Sequence, residues 1–250
     1  MCLIAWNWQP DSETPLLLLA NRDEFYARPT LPMHWWDGGQ VLAGKDLQAG
    51  GTWLGIGRNG LVAALTNHRS QTNDPEAKQS RGALVSDFLQ GNTTAPDYLA
   101  ALTLRADDYN PFNLIVFDGL HFMGFESRNK RVILLSPGVG AVSNADFDTP
   151  WPKLSRLKSN LQVQCQNGKT DVSDLLPLLQ DKSMAADSAL PQTGVSLELE
   201  RLLSATFIQS AHYGTRACSV VTLQRKKVSF FEECHNERGM LSSTQQLFTL

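Results

Sequence analysis

Two short apolar runs at the start of the chain constrain the fold more than any other feature. The first covers residues 2–8 and the second covers residues 15–21, and a polar link, residues 9–14, joins them. Apolar runs of strand length that flank a short polar link predict an antiparallel hairpin. Because the turn sets the register of a hairpin, the end of the second run lies beside the start of the first. The sequence therefore predicts an antiparallel sheet that begins with the first residues of the chain.

The predicted hairpin brings four polar residues, Asn-Arg-Asp-Glu at 21–24, next to Cys2. An arginine at that place, Arg22, would lower the pKa of the thiol and favour the thiolate. A carboxylate at that place would hold an α-amine, and the sequence leaves open whether Asp23 or Glu24 does so. The alternative interpretation is a charged turn exposed to solvent.

A cysteine at position 2 has special chemistry. Initiator methionine is normally removed when the next side chain is small, so Cys2 can become the first residue and carry a thiol and an α-amine together. An α-amine has a pKa of about 7.7 to 8.0, so part of it is neutral at physiological pH and can accept the thiol proton. The alternative is a small buried residue at the start of a strand.

Three motifs near the start of the chain carry a resemblance to a known family. They are Met-Cys at residues 1–2, the leucine-rich run that ends in Asn-Arg-Asp-Glu at 21–24, and Arg-Pro at 28–29. This order resembles the NRDE family, also called the transport and Golgi organisation protein 2 family. That family is similar to N-terminal-nucleophile (Ntn) hydrolases with an N-terminal cysteine, such as choloylglycine hydrolases and penicillin V acylases. The likeness to NRDE proteins runs through most of the chain, whereas the likeness to the hydrolases is confined to short motifs.

The resemblance adds three candidate site residues. Asn67 ends a Gly-Leu-x-x-Ala-x-x-Asn segment, and Asn144 precedes a Thr-Pro-Trp-Pro-Lys segment, so the likeness to the hydrolases implies that both donate to an oxyanion. Arg216 ends a Tyr-Gly-Thr-Arg segment, which implies that it projects toward the nucleophile. The alternatives are a strand-terminating asparagine, an Asx-turn asparagine and a solvated surface arginine.

The rest of the chain alternates between strand and helix patterns. We predict a long loop over residues 25–48, a hairpin over 50–67, two helices over 81–89 and 95–104, and a three-stranded meander over 112–135. A helix start is predicted at Thr149, with Pro150 just inside it, and two strands, 216–223 and 228–234, are predicted to close the chain.

Pattern alone supports a mixed α and β protein with antiparallel pairing. The resemblance implies an α+β fold in which two antiparallel sheets form a four-layer α-β-β-α sandwich of the Ntn-hydrolase kind. The length of 250 residues and a hydrophobic content of 42% suit one large domain, so we expect residues 1–250 to form a single domain.

Charge and composition argue against several classes of function. A net charge of -3 gives no basic face for nucleic acid, and no apolar stretch reaches the roughly 18 to 20 residues of a membrane span. Without the pattern of a signal peptide, a cytoplasmic location is expected. The cysteines, at positions 2, 165, 218 and 234, are scattered, which indicates neither a disulfide framework nor a metal site. We expect no required cofactor.

Two hypotheses for function follow from the resemblance. In the first, the protein is a cysteine amidohydrolase or acyltransferase that acts on an amide or thioester of an apolar acyl group. In the second, it is a carrier on the same scaffold that binds haem or an acyl lipid without catalysis. The expected partner is thus a small apolar acyl or haem-like ligand, and the sequence leaves the oligomeric state open.

Overall fold

The computed structural model describes residues 2–69 and 78–250. They form two compact units, one made of residues 2–27 and 137–249 and the other of residues 28–69 and 78–136 with Leu250. Each unit contains one antiparallel sheet, of six strands in the first unit and seven in the second. Helices complete both units, so the predicted mixture of α and antiparallel β structure is confirmed. The expectation of a single domain stays a prediction.

Along the chain, groups of strands and groups of helices alternate, beginning and ending with strands. The strands are β1 (Cys2–Trp8), β2 (Leu16–Phe25), β3 (Thr30–Trp35), β4 (Val41–Asp46), β5 (Leu54–Gly57), β6 (Val62–Asn67), β7 (Phe112–Phe117), β8 (Phe122–Glu126), β9 (Arg131–Leu134), β10 (Gly138–Val142), β11 (Tyr213–Leu223), β12 (Lys227–Asn236) and β13 (Gly239–Thr249). The helices are α1 (Gly82–Gln90), α2 (Ala95–Thr103), α3 (Pro152–Gln166), α4 (Val172–Leu179) and α5 (Leu197–Leu203).

The sheet of the first unit has the order β10-β1-β2-β11-β12-β13. The predicted hairpin is confirmed, since β1 pairs with β2 in a register that sets Cys2 opposite Arg22 and Trp8 opposite Leu16. Strand β11 comes from the far end of the sequence and pairs along the other side of β2. The first residues of the chain therefore begin an interior strand, with β10 on one side and β2 on the other.

One face of this sheet is covered by α3 and α4. Leucines 154, 157 and 161 recur along α3 at helical spacing and are buried in one core with Leu3 and Leu19 of the sheet. On the same face, the side-chain amide of Asn21 donates hydrogen bonds of 2.8 Å to the backbone carbonyls of Leu179 and Thr206. These bonds attach the end of β2 to the helical layer.

The sheet of the second unit runs in sequence order from β3 to β9. The predicted hairpin at Asn59-Gly60 is present as β5 and β6, and Gly60 takes the positive φ of +83° that such a turn requires. Helices α1 and α2 bury Leu84, Phe88 and Leu99 in the core of this unit. The predicted meander is confirmed as β7, β8 and β9.

Three sequence predictions about elements are wrong. Residues 25–48 are not a loop, because β3 and β4 lie there. Pro32 misled the prediction, but β3 is an edge strand whose register shifts between Leu31 and His34, which is a place where a sheet tolerates proline. The chain ends in three strands rather than the predicted two. The third, β13, was missed because its central residues are polar, and as an edge strand it buries none of its side chains fully.

The third error concerns the start of α3. The helix begins at Pro152, with Trp151 as its N-cap, rather than at Thr149 and Pro150. Pro150 and Pro152 both suit the first position of a helix, and the helix begins at Pro152. In the described part of the chain, no helix has the length and apolar character needed to cross a membrane.

Candidate functional site

The site is built around Cys2, the first residue of β1. Its side chain is buried, with 6% of its surface exposed, and Arg22 directly opposite it on β2 is 8% exposed. Arg22 also pairs with Ala217 on the next strand, β11. Directly opposite residues of neighbouring strands present their side chains to the same face of the sheet. The structure thus places the thiol and the guanidinium of Arg22 on one face, at one level of the sheet.

Arg216 occupies an irregular position on β11. The register with β2 shifts between Thr215 and Ala217, so Arg216 is the extra residue of a β-bulge. Bulges bend a strand and change the direction of a side chain. Arg216 donates a hydrogen bond of 3.0 Å from Nη1 to the carbonyl of Phe25, and its pKa is lowered by burial and by the nearby charge of Arg22. The two arginines therefore lie within electrostatic range of each other.

Asp23 is the buried carboxylate of the site. The Thr215 hydroxyl, directly opposite on β11, donates a hydrogen bond of 2.7 Å to Oδ1, and Lys153 Nζ lies 3.7 Å from Oδ2. Burial raises the pKa of Asp23, while the charge of Lys153 and the bond from Thr215 act in the opposite direction. By contrast, the Glu24 carboxylate accepts a hydrogen bond from the backbone N–H of Phe25 and is only half-buried. The structure favours Asp23 as the buried acid.

Lys153 is a site residue that the sequence interpretation did not identify. It is 1% exposed, although lysine is almost never buried without a partner. It also lies in the first turn of α3, where the helix dipole disfavours a cation. The ion pair with Asp23 is therefore the interaction that stabilises Lys153 at this position. The signal was present in the sequence, because a lysine directly after the helix-starting prolines opposes the usual charge preference.

Asn144 is fully buried and follows the end of β10. Val142 on β10 pairs with Ile4, so continuing this register two residues further brings Asn144 level with Cys2. The Ser143 hydroxyl lies 3.2 Å from Asn144 Oδ1 and 3.4 Å from the backbone carbonyl oxygen of Cys2. The contact with Ser143 holds the oxygen end of the amide. The NH₂ group of the same amide is a hydrogen-bond donor by its chemistry.

Asn67 is placed differently from the other five candidates. It is the last residue of β6 in the second unit, where it pairs with Phe112 of β7 and is half-buried. Five of the six predicted residues therefore lie on the sheet of the first unit or directly after one of its strands. The oxyanion role of Asn67 stays a prediction.

The thiol of Cys2 is not made acidic by its surroundings when Met1 is present. Burial raises its pKa, and the charge of Asp23 acts in the same direction; the N-terminal ammonium, the charge of Arg22 and a hydrogen bond from the backbone N–H of Asp23 only partly offset this. The charge of Arg22 lowers the pKa of the thiol, as expected. The loss of hydration on burial raises this pKa by more. Burial also raises the pKa of Cys234, to about 12, and that of Cys218 well above its ordinary value.

The donors needed for a metal centre do not converge. In the described part of the chain, no group of three or more His, Cys, Asp or Glu side chains is placed to hold a metal ion.

Solved structures define the class of the fold. The whole chain matches the C2A variant of the conjugated bile acid hydrolase from Clostridium perfringens with a TM-score of 0.56, over 96% of that chain and at 10% identity. A second variant of the same hydrolase matches with a TM-score of 0.52. The protein therefore has an α+β fold of the Ntn-hydrolase kind with two antiparallel sheets, as predicted.

Sequence comparison identifies the family. Residues 1–237 match the family described as Transport and Golgi organisation 2. The Transport and Golgi organization 2 homolog of Mus musculus is 32% identical over 96% of this chain and 94% of its own length. The Bos taurus homolog is 33% identical over 97% and 94%. The chain belongs to the Transport and Golgi organisation 2 family, which the N-terminal motifs resemble.

Proposed function

We propose that this protein is an N-terminal-cysteine amidohydrolase or acyltransferase that acts on an amide or thioester of an apolar acyl group. One observation carries the proposal: the register of β1, β2 and β10 brings Cys2 opposite Arg22 and level with Asn144. A buried nucleophile, a fixed positive charge and a buried amide donor are the parts that acyl transfer needs. The Ntn-hydrolase-like fold is consistent with this chemistry.

The proposed reaction starts after removal of Met1. The α-amine of Cys2 accepts the thiol proton, and the sulfur attacks the carbonyl carbon to form a tetrahedral oxyanion. Asn144 stabilises this oxyanion. A second donor role for Asn67 stays a prediction from the sequence resemblance. The intermediate collapses when the leaving amine or thiol takes up the proton and departs. Water, or an acceptor nucleophile, then attacks the acyl-cysteine and releases the acyl group.

The charged residues have separate roles in this proposal. Arg22 and Arg216 supply positive charge on the side of the sheet that carries the thiol. Asp23 is the partner of the α-amine, and Lys153 and Thr215 hold its carboxylate in place. Because Lys153 already neutralises Asp23, the carboxylate stabilises the ammonium form of the α-amine less strongly than an unpaired carboxylate would. That balance leaves part of the amine neutral and able to act as a base.

The first test is the state of the N-terminus. We expect the intact mass of the purified protein to show loss of Met1, because the neighbouring side chain is small. The processed protein is then screened against acyl amides and acyl thioesters of increasing chain length. Turnover that disappears in Cys2→Ala supports the proposal. Quantitative retention of Met1 would contradict this mechanism. Binding of haem or an acyl lipid without turnover would favour a carrier function.

Removal of Met1 is also expected to change the reactivity of the thiol. The N-terminal ammonium already lowers the pKa of Cys2 when Met1 is present. In the processed protein the α-ammonium lies on the same residue as the thiol and therefore closer to it, and an opposite charge within about 4 to 6 Å lowers a pKa by about 1 to 3 units. The rate of Cys2 alkylation by iodoacetamide is measured against pH, with and without Met1. We expect the midpoint to fall by about 1 to 3 pH units in the processed form.

Cys165 is the internal control for this measurement. It is half-buried on α3, and its rate profile is expected to be the same in both forms. In the processed protein, Cys2 is also expected to react faster than Cys165, Cys218 and Cys234, as peptide mapping would show. Identical Cys2 profiles in the two forms would contradict an activated N-terminal cysteine.

A further inference from the structure

Strand β13 is the terminal strand of the six-stranded sheet, with β12 as its paired neighbour in the described chain. It runs from Gly239 to Thr249, which is twice the usual length of a strand. The outer edge of such a strand presents a row of backbone N–H and C=O groups that can pair with another strand. A long edge strand is therefore a surface that needs either protection or a partner.

Natural proteins usually protect an edge with charged side chains or proline. Strand β13 has neither, because its sequence from 239 to 249 reads Gly-Met-Leu-Ser-Ser-Thr-Gln-Gln-Leu-Phe-Thr. A β-bulge, which also protects edges, is present at Leu241, but residues 242–249 pair with β12 in a regular register. Two of its leucines are also largely exposed, Leu241 at 58% and Leu247 at 71%. The strand thus combines an open hydrogen-bonding edge, no charge repulsion and exposed apolar side chains.

The order of residues along β13 indicates which partner fits. Around Thr244 the strand is nearly symmetric in character: Met240 corresponds to Phe248, Leu241 to Leu247, Ser242 to Gln246 and Ser243 to Gln245. When a strand pairs antiparallel with its own copy about Thr244, each residue lies opposite its counterpart. Apolar residues then meet apolar residues, and polar residues meet polar residues.

We propose that β13 pairs with β13 of a second copy of this chain, antiparallel and about a twofold axis at Thr244. The two six-stranded sheets then continue into each other across the interface. Leu247 lies on the face of the strand that carries Ser243 and Gln245, since side chains there alternate with a period of two. Leu241 is the extra residue of a β-bulge, because the register with β12 shifts from Ser242 to Met240. In the proposed register, Leu241 of one copy lies opposite Leu247 of the other. The inference is independent of the proposed catalytic function.

The test compares two oppositely charged double variants. In the proposed register, Ser243 of one copy lies opposite Gln245 of the other. Ser243→Lys with Gln245→Lys therefore sets lysine against lysine, and Ser243→Glu with Gln245→Glu sets glutamate against glutamate. Like charges directly opposite each other destabilise strand pairing, while opposite charges stabilise it. A mixture of the two variants restores favourable pairs at all four positions.

Sedimentation velocity over a range of protein concentrations measures the outcome. We expect the wild-type protein to reach twice the chain mass of 27.6 kDa, each charged variant to stay monomeric, and the mixture to form a dimer. Ser159→Lys with Gln162→Lys is the matched control, because both residues are exposed on α3 in the same unit. This control variant is expected to dimerise like the wild type.

Hydrogen exchange of the wild-type protein gives a readout that does not depend on the variants. Amides of residues 239–249 are expected to exchange more slowly as the protein concentration rises. A wild-type protein that stays monomeric at every concentration overturns the proposal. Dimers that persist in both charged variants, or a mixture that fails to associate although both variants keep the wild-type circular dichroism, also overturn it.

Discussion

Replacing Lys153 with methionine is expected to lower the free energy of unfolding by about 3 to 5 kcal/mol. The ammonium group lies 3.7 Å from the Asp23 carboxylate, and both side chains are buried. Loss of one partner leaves the other charge in a poorly hydrated place, and this penalty is the usual cost of breaking a buried ion pair. Methionine keeps most of the volume of lysine, so the change reports mainly on the charge. Urea unfolding at neutral pH measures it.

Lys158→Met is the matched control for this variant. Lys158 lies on the same helix and also forms an ion pair, at 2.6 Å from Asp148, but both side chains are partly exposed. Surface pairs contribute about 0 to 1 kcal/mol, so the control variant is expected to be nearly as stable as the wild type. Equal losses of unfolding free energy in the two variants would show that the buried Lys153–Asp23 pair stabilises the fold no more than an exposed pair does.

The stability loss in Lys153→Met is expected to shrink in acid. Burial already raises the pKa of Asp23 above its ordinary value of 3.8, and removal of Lys153 raises it further. The folded state then binds a proton more tightly than the unfolded state. The contribution of Asp23 to stability is therefore fully present below pH 3.8 and is lost as the pH rises through the pKa of this group in the folded state. In the double variant with Asp23→Asn, this pH dependence should disappear and part of the lost stability should return.

Asn144→Ala is expected to lower the turnover of an acyl substrate by about 10²- to 10³-fold, the usual loss for one oxyanion donor. The folded state should be retained, because alanine is smaller than asparagine and adds no bulk at this buried position. A purely structural asparagine behaves differently, since loss of a turn or capping contact costs about 0.5 to 2 kcal/mol of stability and little activity per folded molecule.

Turnover and thermal unfolding are therefore measured on the same preparation. Asn160→Ala provides the control, because Asn160 is exposed on α3 and is expected to change neither quantity. Ser143→Ala tests the orientation of the amide and should cause a smaller loss of turnover than Asn144→Ala. A destabilised Asn144→Ala variant with normal turnover would remove Asn144 from the site.

Local information in the sequence was enough for the central part of the site. The polar link at residues 9–14 determines the register of β1 and β2, so the position of Arg22 beside Cys2 was predictable from the hairpin alone. The hairpin at Asn59-Gly60 and the meander from β7 to β9 were also predictable, since each is formed by neighbouring segments and a turn.

Only the tertiary structure decided the features that join distant segments. Strand β11 reaches β2 from almost two hundred residues away, and this pairing sets Thr215 opposite Asp23 and creates the bulge at Arg216. Lys153 meets Asp23 only because α3 packs on the sheet, and burial then outweighs Arg22 in its effect on the thiol of Cys2. Strand β13 likewise forms because β12 offers it an edge. Local propensity determines hairpins and helices, whereas burial and long-range pairing arise from packing that no single segment specifies.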